Sequence, residues 1–541
     1  MTRSNANRAA HRRTAHRRGL ALGLALAAVQ GSAASAQLLP QLGAPVELGD
    51  LRGAFQRAYG PPGVAIAERP WSITPGIDVD VTATDNAAAL GAGARRGGDV
   101  VTTITPSLFV QANTQRLVGT LYYAPQLRSF MRNSSQNTIA QNLNATARAT
   151  IFEDLLFLNA SAYATEYSRQ GGLGPSSNGR LTKQDRVQST SYSIGPQLRH
   201  SFADYGVLDA AYTFSQINQS GAALRTATPF APAVAPGNTT TNTLQASFTS
   251  GQEFGRINFT PALQRTMYDG PGVLKNAHRY SETLDLGYAA TRVITLLGQI
   301  GHQDVRYGGT RPVRVNGAIW NIGVRWNPDP DTTITARYGY RDGGDNFSLE
   351  GTAAPTARIR VSALYSEGMA DPAEEFQNAI GRTQISASGI AIDPKTGMPV
   401  IVVNNFAGAQ GGLSRVRRVS LSAVLLQDID TFTLSFNRDE RTTLSGDLPG
   451  TAPNTTYNIA TLGWQRELWP GVRGNAQASY GERSAGHVGN QETMTFSAGL
   501  NWALSETLST RASYTYTRSS SNLAGFGYQA SLVSLGLHKS F

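Results

Sequence analysis

Residues 526–541 read FGYQASLVSLGLHKSF. Val533, Leu535 and Leu537 share one parity with Phe541, and Ser534, Gly536 and His538 take the other. A β-strand has period two, so one face of such a segment can meet lipid while the other meets water. The interleaved polar residues, Ser531 among them, argue against a continuous apolar core strand. The segment is therefore read as the closing strand of a membrane barrel.

The same alternation recurs from Trp71 onward. Leu143, Ala145, Ala147, Ala149 and Ile151 oppose Asn142, Asn144, Thr146, Arg148 and Thr150. Ala318, Trp320, Ile322, Val324 and Trp326 oppose Asn321, Gly323 and Arg325, and Phe432, Leu434 and Phe436 oppose Thr433, Ser435 and Asn437. This is strand periodicity rather than helical periodicity. Short connections (Asn113–Gln115, Phe152–Asp154, Phe202–Asp204, Thr291–Arg292, Asn327–Asp331, Gln427–Asp430, Ser505–Glu506) alternate with long Gly- and Ser-rich ones, from Asp85–Gly98 through Thr266–Arg279 to Asp439–Asn454. The sorting predicts an all-β, transmembrane, antiparallel up-and-down barrel with short periplasmic turns and long extracellular loops. The expected strand number is about 22, with 18–20 as alternatives, and even because both ends return to the periplasm. The longest loop, Glu367–Ser414, is expected to carry a hairpin, Gly389–Ile392 against Val400–Val403 around Asp393–Gly397, either projecting outward or folded inward as a constriction.

Composition agrees. The chain of 541 residues has no cysteine, which removes disulfides, thiolate zinc sites and cysteine nucleophiles. No apolar run long enough for a spanning helix occurs after the N-terminus. The formal charge of +10 includes six arginines in residues 1–36, which hold no acid; without them +4 remains. That is no nucleic-acid-binding excess, and no basic run is interleaved with aromatics. Met1–Ala36 reads as a secretory signal, with a basic start, the apolar core Gly19–Val29 and cleavage between Ala36 and Gln37. Gln37–Pro70 is expected to be a periplasmic leader in which Asp50 starts a short helix. The barrel is expected to occupy Trp71–Phe541.

The chain resembles the PEP-CTERM-system-associated outer-membrane β-barrel proteins, related to the β-barrel porin group. The residues that carry the resemblance are Ile73-Thr74-Pro75, Val79–Asn86 (VDVTATDN), Asp99–Leu108 (DVVTTITPSL), Glu153–Ala162 (EDLLFLNASA), Ser191–Phe202 (SYSIGPQLRHSF) and Asp204–Phe214 (DYGVLDAAYTF). The last strand is also similar to the closing strands of bacterial outer-membrane barrels, with Ser534, Gly536 and Phe541 at the positions read by the assembly machinery. Lys539 stands where an aromatic or aliphatic residue is usual. The resemblance implies the Gram-negative outer membrane, a link to exopolysaccharide production and export, and no chemical activity. Partners would be outer-membrane lipid, the barrel-assembly machinery, and exopolysaccharide or its export components.

No residue constellation points to catalysis, a cofactor or a metal. The seven histidines are scattered, and none sits with another at ligand spacing. Asp342 and Asp345 in RDGGD, and Asp329 and Asp331 in NPDPD, are explained by turn chemistry without calcium. One feature stands out. The polar parity of the strands carries Arg148, Arg199, Arg325, Arg337, Arg358, Arg360, Arg418, Arg473 and Arg511, against mainly Asp209 and Asp285. An arginine facing lipid at the midplane costs about 2–4 kcal/mol, so these should face the lumen. A lumen lined by one sign concentrates the opposite ion. The expectation is a channel for anionic solutes, acidic polysaccharide included. Two alternatives remain: loop carboxylates neutralise the arginines, or the barrel is a non-conducting structural or adhesive surface protein. An energy-coupled importer would need a plug domain of about a hundred residues before the barrel, where only Gln37–Pro70 is available.

Overall fold

A computed structural model describes residues 70–87, 97–168, 186–221, 237–375, 384–385, 391–392, 412–446, 454–486, 489–523 and 527–541. The expected export signal with its Ala36–Gln37 junction, and the leader as far as residue 69, lie outside the described residues.

The alternating segments form twenty-two strands. β1 is Trp71–Thr84 and β2 is Asp99–Asn113. β3 runs as Leu117–Tyr123 and Gln126–Phe130, and β4 as Thr138–Ala140 and Leu143–Phe152. Then come β5 (Leu156–Ser168), β6 (Arg186–Ser201), β7 (Gly206–Ser220), β8 (Gly237–Ser250), β9 (Ile257–Asp269), β10 (His278–Ala289) and β11 (Ile294–Tyr307). β12 (Val313–Asp329), β13 (Thr332–Arg341), β14 (Gly344–Thr356), β15 (Ile359–Ala370), β16 (Leu413–Gln427) and β17 (Asp430–Ser445) follow. β18 (Thr455–Trp469), β19 (Val472–Ser484), β20 (Asn490–Ala503), β21 (Leu508–Ser521) and β22 (Tyr528–Ser540) complete the wall. Each strand pairs antiparallel with its neighbours in sequence, and β22 pairs with β1 from Gly76↔Ser540 to Thr84↔Leu532. The sheet is therefore a closed barrel with no free edge.

The lipid face is the apolar parity. Trp320, Ile322, Val324 and Trp326 are 42%, 64%, 43% and 42% exposed, and Leu535 is 61% exposed. Around a soluble protein such a band would be a large sticky patch; around a barrel it is the surface that hydrocarbon covers. β12 is 17 residues long, more than the roughly 9–11 a tilted strand needs to cross a bilayer, so the wall rises beyond the lipid. Replacing Ile322 with arginine is expected to cost about 2–4 kcal/mol of folding stability in lipid vesicles, measured by urea titration. Arginine at the adjacent inward position, Asn321, should cost much less.

The rim departs from the expected loop pattern in three places. The connection between β13 and β14 is only Asp342–Gly343, on the side of the long loops. Both residues have positive φ, 52° and 75°, and such a pair closes a two-residue hairpin in register with the strand twist. The RDGGD stretch is thus a tight turn and makes one sector of the wall low. Second, the expected loop Thr266–Arg279 shrinks, because β9 continues to Asp269 and β10 begins at His278. Third, β3 and β4 are each interrupted, at Ala124-Pro125 and at Gln141-Asn142. Proline has no N–H to give to a ladder, and β3 resumes beyond it. Above Leu143↔Ala164 no ladder pairing joins β4 to β5 among the described residues. Side chains bridge this gap. Gln188 donates from Nε2 to the Gln141 carbonyl and accepts from the Gln141 N–H, both at 3.0 Å. Glu166 accepts from Arg128 and, at 2.7 Å, from Arg186.

Ala391–Ile392, expected in a hairpin with Val400–Val403, instead pairs with Gln384–Ile385. Val400–Val403 lies outside the described residues.

Candidate functional site

Inward-facing polar side chains of neighbouring strands meet across the wall. Ser362 bonds Ser422 at 2.5 Å, and Ser161 bonds Ser193 at 2.8 Å. On β10 to β13, Gln299 donates to Asp285 (2.9 Å), Asn321 donates to Gln299 (2.7 Å), and Arg337 reaches Asp285 (3.2 Å) and Asn321 (3.1 Å).

The arginines singled out in the sequence are not equivalent. Arg337 is paired as above. Arg418 holds Asp439 at 2.9 Å and Glu375 at 3.3 Å. Arg199 stands opposite Asp209 in register, and the Arg148 guanidinium lies 3.9 Å over the ring of Phe157. Arg473 stands opposite Glu467. Arg325 and Arg360, toward the periplasmic end, face the lumen with no acidic partner among the described residues. Arg358 is a correction. β15 begins only at Ile359, so Arg358 sits in the periplasmic turn, largely exposed, 3.2 Å from Asp428.

Arg511 marks the seam where β22 joins β1. It reaches across the closing strand to both carboxylates of β1, with Nε 2.9 Å from Asp80 and Nη1 3.3 Å from Asp78. The residue it crosses is Gly536, which pairs with both Arg511 and Asp80. A Cβ there would lie 2.2 Å from Asp80 Oδ1 and 2.7 Å from Arg511 Nε. Ser534 bonds Thr82 at 2.8 Å on the same side of the seam, and His538 Nδ1 lies 3.1 Å from Asp78. Phe541 is exposed, and its N–H reaches the Pro75 carbonyl at 2.9 Å.

The extracellular mouth holds a structure that the sequence reading missed. Residues 371–375 (Asp-Pro-Ala-Glu-Glu) turn back from the end of β15 against the inner wall instead of projecting. Asp371 caps one helical turn, accepting from the N–H groups of Ala373 (3.0 Å) and Glu374 (2.9 Å), with Pro372 in the first helical position. Asp371 is fully buried and also accepts from Tyr268 Oη (2.9 Å) on β9 and Tyr307 Oη (2.7 Å) on β11. Glu374 faces Arg279 of β10 at 3.4 Å, and Arg279 also bonds Asp342 at 3.1 Å. Glu375 binds Arg441 of β17 at 2.6 Å as well as Arg418 of β16. Val273, Leu274 and Ala277, from the β9–β10 loop, pack beside Ala373, Tyr268, Tyr307, Met369 and Leu413. At the mouth, therefore, a segment with one apolar contact face and three anchored carboxylates lies against the inner wall.

The two glutamates differ. Burial pushes Glu374 up to about 8, with Asp371, Asp342 and Glu375 adding to the shift and Arg279 opposing it. Burial would raise Glu375 too, but Arg441 and Arg418 outweigh it and hold it down at about 2. A signal for this segment exists in the sequence, since Asp-Pro followed by two acids is a helix start.

Among the described residues no three acidic or histidine side chains converge to hold a metal. Asp329 accepts from the Asp331 N–H at 3.0 Å, a local turn bond, and the Asp342 carboxylate is taken up by Arg279.

Residues 432–541 match the family model described as Putative beta-barrel porin 2. The porin match spans nearly all of β17 to β22, with Arg441, Arg473, Arg511 and the Gly536 seam inside it and residues 371–375 outside it. No curated protein matches the chain. Among solved structures, the chain is similar to the FrpB iron transporter of Neisseria meningitidis (F5-1 variant). The identity is 10%, with 90% of this chain and 84% of that chain covered and a TM-score of 0.51. The apoprotein form of that variant gives 11% identity, 90% and 83% coverage, and a TM-score of 0.51. The ferric-catecholate import receptor Fiu of E. coli K12 in its open form gives 12% identity, 86% and 81% coverage, and a TM-score of 0.47. At these identities the likeness is one of fold, and the chain has the porin-like β-barrel fold of the outer membrane.

Proposed function

We propose that the chain forms an outer-membrane channel that passes anionic solutes, acidic polysaccharide among them, through a lumen narrowed at its extracellular end by residues 371–375. The observation that carries this reading is the pair Arg325 and Arg360, inward-facing guanidinium groups with no acidic partner among the described residues. Fixed positive charge on a low-dielectric wall raises the local concentration of anions. Reversal potentials of the purified protein in planar bilayers under a potassium chloride gradient test the idea. Chloride preference is expected, and Arg325→Gln combined with Arg360→Gln should cut the anion-to-cation permeability ratio at least twofold. Cation preference in the unaltered protein would rule the reading out. For the polysaccharide part, deleting the gene should lower the weight of secreted polymer, and an unchanged yield would count against it.

One observation favours a second reading, a barrel kept shut. Glu375 is clasped by two arginines in a partly dry site, and removing one member of such a cluster costs about 3–5 kcal/mol. If the clasp never opens, the unaltered protein carries no current and Glu375→Gln restores it. If the lumen is blocked elsewhere, neither protein conducts.

A further inference from the structure

Glu374 and Glu375 occupy positions on the inner wall that suit any carboxylate. Arg418 and Arg441, from adjacent strands, converge on Glu375. On the other side Arg279 and Arg341 line one cavity with Glu374, and most of the rest of that cavity is hydroxyl and amide, with Thr241, Thr266, Gln264 and Gln303 beside the single aliphatic Val305. Gln303 Nε2 and Thr241 Oγ1 are buried there with no hydrogen-bond partner. Leaving such buried groups without a partner is costly, so they mark places where a polar ligand atom would be welcome. A charged clamp beside unfilled hydroxyl- and amide-bonding positions matches a sugar that bears a carboxylate. A simple inorganic anion would leave the second set unused.

We propose that these two clamps form a binding site for uronate-type acidic saccharide, and that residues 371–375 are its built-in occupant, displaced when the saccharide arrives. The inference rests on the channel reading and names the cargo of the same lumen. Carboxylates of the saccharide take the positions of Glu374 and Glu375, and its hydroxyls reach Gln303 and Thr241. The two occupants are unequally held, since burial favours the neutral form of Glu374 while Glu375 stays ionised. Displacement therefore starts at the Arg279 side and ends at Arg418 and Arg441.

The test uses the full-length protein in detergent, titrated calorimetrically with trigalacturonate and with maltotriose as the uncharged comparator. The unaltered protein should bind trigalacturonate weakly, because its own glutamates compete. Glu374→Gln with Glu375→Gln should bind it at least tenfold more tightly and leave maltotriose unaffected. Adding Arg418→Gln and Arg441→Gln should remove the gain. Heat-modifiable migration on gels verifies that each variant is folded. The single change Glu374→Gln keeps the neutral form at that position and leaves the Glu375 clasp intact, so on its own it should give no gain. No gain in the double glutamate variant, equal binding of maltotriose, or a gain that survives loss of both arginines would overturn the proposal. Binding in micelles needs no open pore, so a protein that fails to conduct still passes or fails this test independently.

Discussion

Gly536→Leu is expected to weaken closure of the barrel. The folded, heat-modifiable form should be several-fold less abundant in outer membranes, with more of the chain degraded or left unfolded. The reason is local. Arg511 on β21 reaches Asp80 on β1 across β22, and the only backbone between them is that of Gly536. A single added carbon would sit 2.2 Å from Asp80 Oδ1, so the two side-chain ends must move, and a leucine would displace the ion pair altogether. Losing a half-exposed pair costs about 0–1 kcal/mol, and it is lost on the strand that must be docked for closure. The smaller change Gly536→Ala should be partly defective, and Arg511→Ser in the same chain should rescue it by vacating the space. If Gly536→Leu assembles at normal levels, or if Arg511→Ser gives no rescue, the seam is not what requires glycine. The experiment also separates two roles for this residue, because a motif read by assembly factors would not be repaired by a change on β21.

The second large effect is a dependence on pH, and its direction follows from Glu374. With the segment docked its pKa is about 8; undocked, an ordinary glutamate titrates near 4.3. Between these values the docked state holds a proton that the undocked state lacks. Docking therefore weakens as pH rises from about 5 to about 8 and is flat above that. Glu375 behaves oppositely. Held at about 2, it stabilises docking at every pH above its ordinary value, and that contribution is lost only as pH falls through about 4 toward 2. Docking should thus be firmest in mildly acidic solution. Conductance per channel is expected to be at least tenfold higher at pH 8 than at pH 5. Glu374→Gln should hold it at the low, pH-5 level throughout. A flat profile in the unaltered protein, or a slope that persists in Glu374→Gln, would refute the assignment.

Much of the wall was legible because period two is a local property. Trp320, Ile322, Val324 and Trp326 announce their face within seven residues, and no knowledge of neighbours is needed to place them in lipid. What the arginines do was not legible, because a charge on the lumen side says nothing about its partner. Arg511 meets Asp80 only after closure brings together residues more than four hundred positions apart, and Arg418 meets Glu375 only because a loop turns inward. Had register been known, Arg199 opposite Asp209 would have been readable. The inward segment was the one readable feature overlooked. Asp371-Pro372 with Glu374 and Glu375 is a helix start, but it was absorbed into the long connection from Glu367 to Ser414. The turn at Asp342-Gly343 was readable, since the composition of RDGGD is turn-forming; that it closes a two-residue hairpin appears only with the strands in place.

The gap between the upper parts of β4 and β5 gives the cylinder a tear line. Where the ladder is continuous, prying two staves apart means breaking a row of amide bonds together. At this joint the fastening is Glu166 between Arg128 and Arg186, with an amide clasp from Gln188 to Gln141. One carboxylate holds both guanidinium groups, so its loss alone should let the rim part sideways here more readily than along an unbroken ladder.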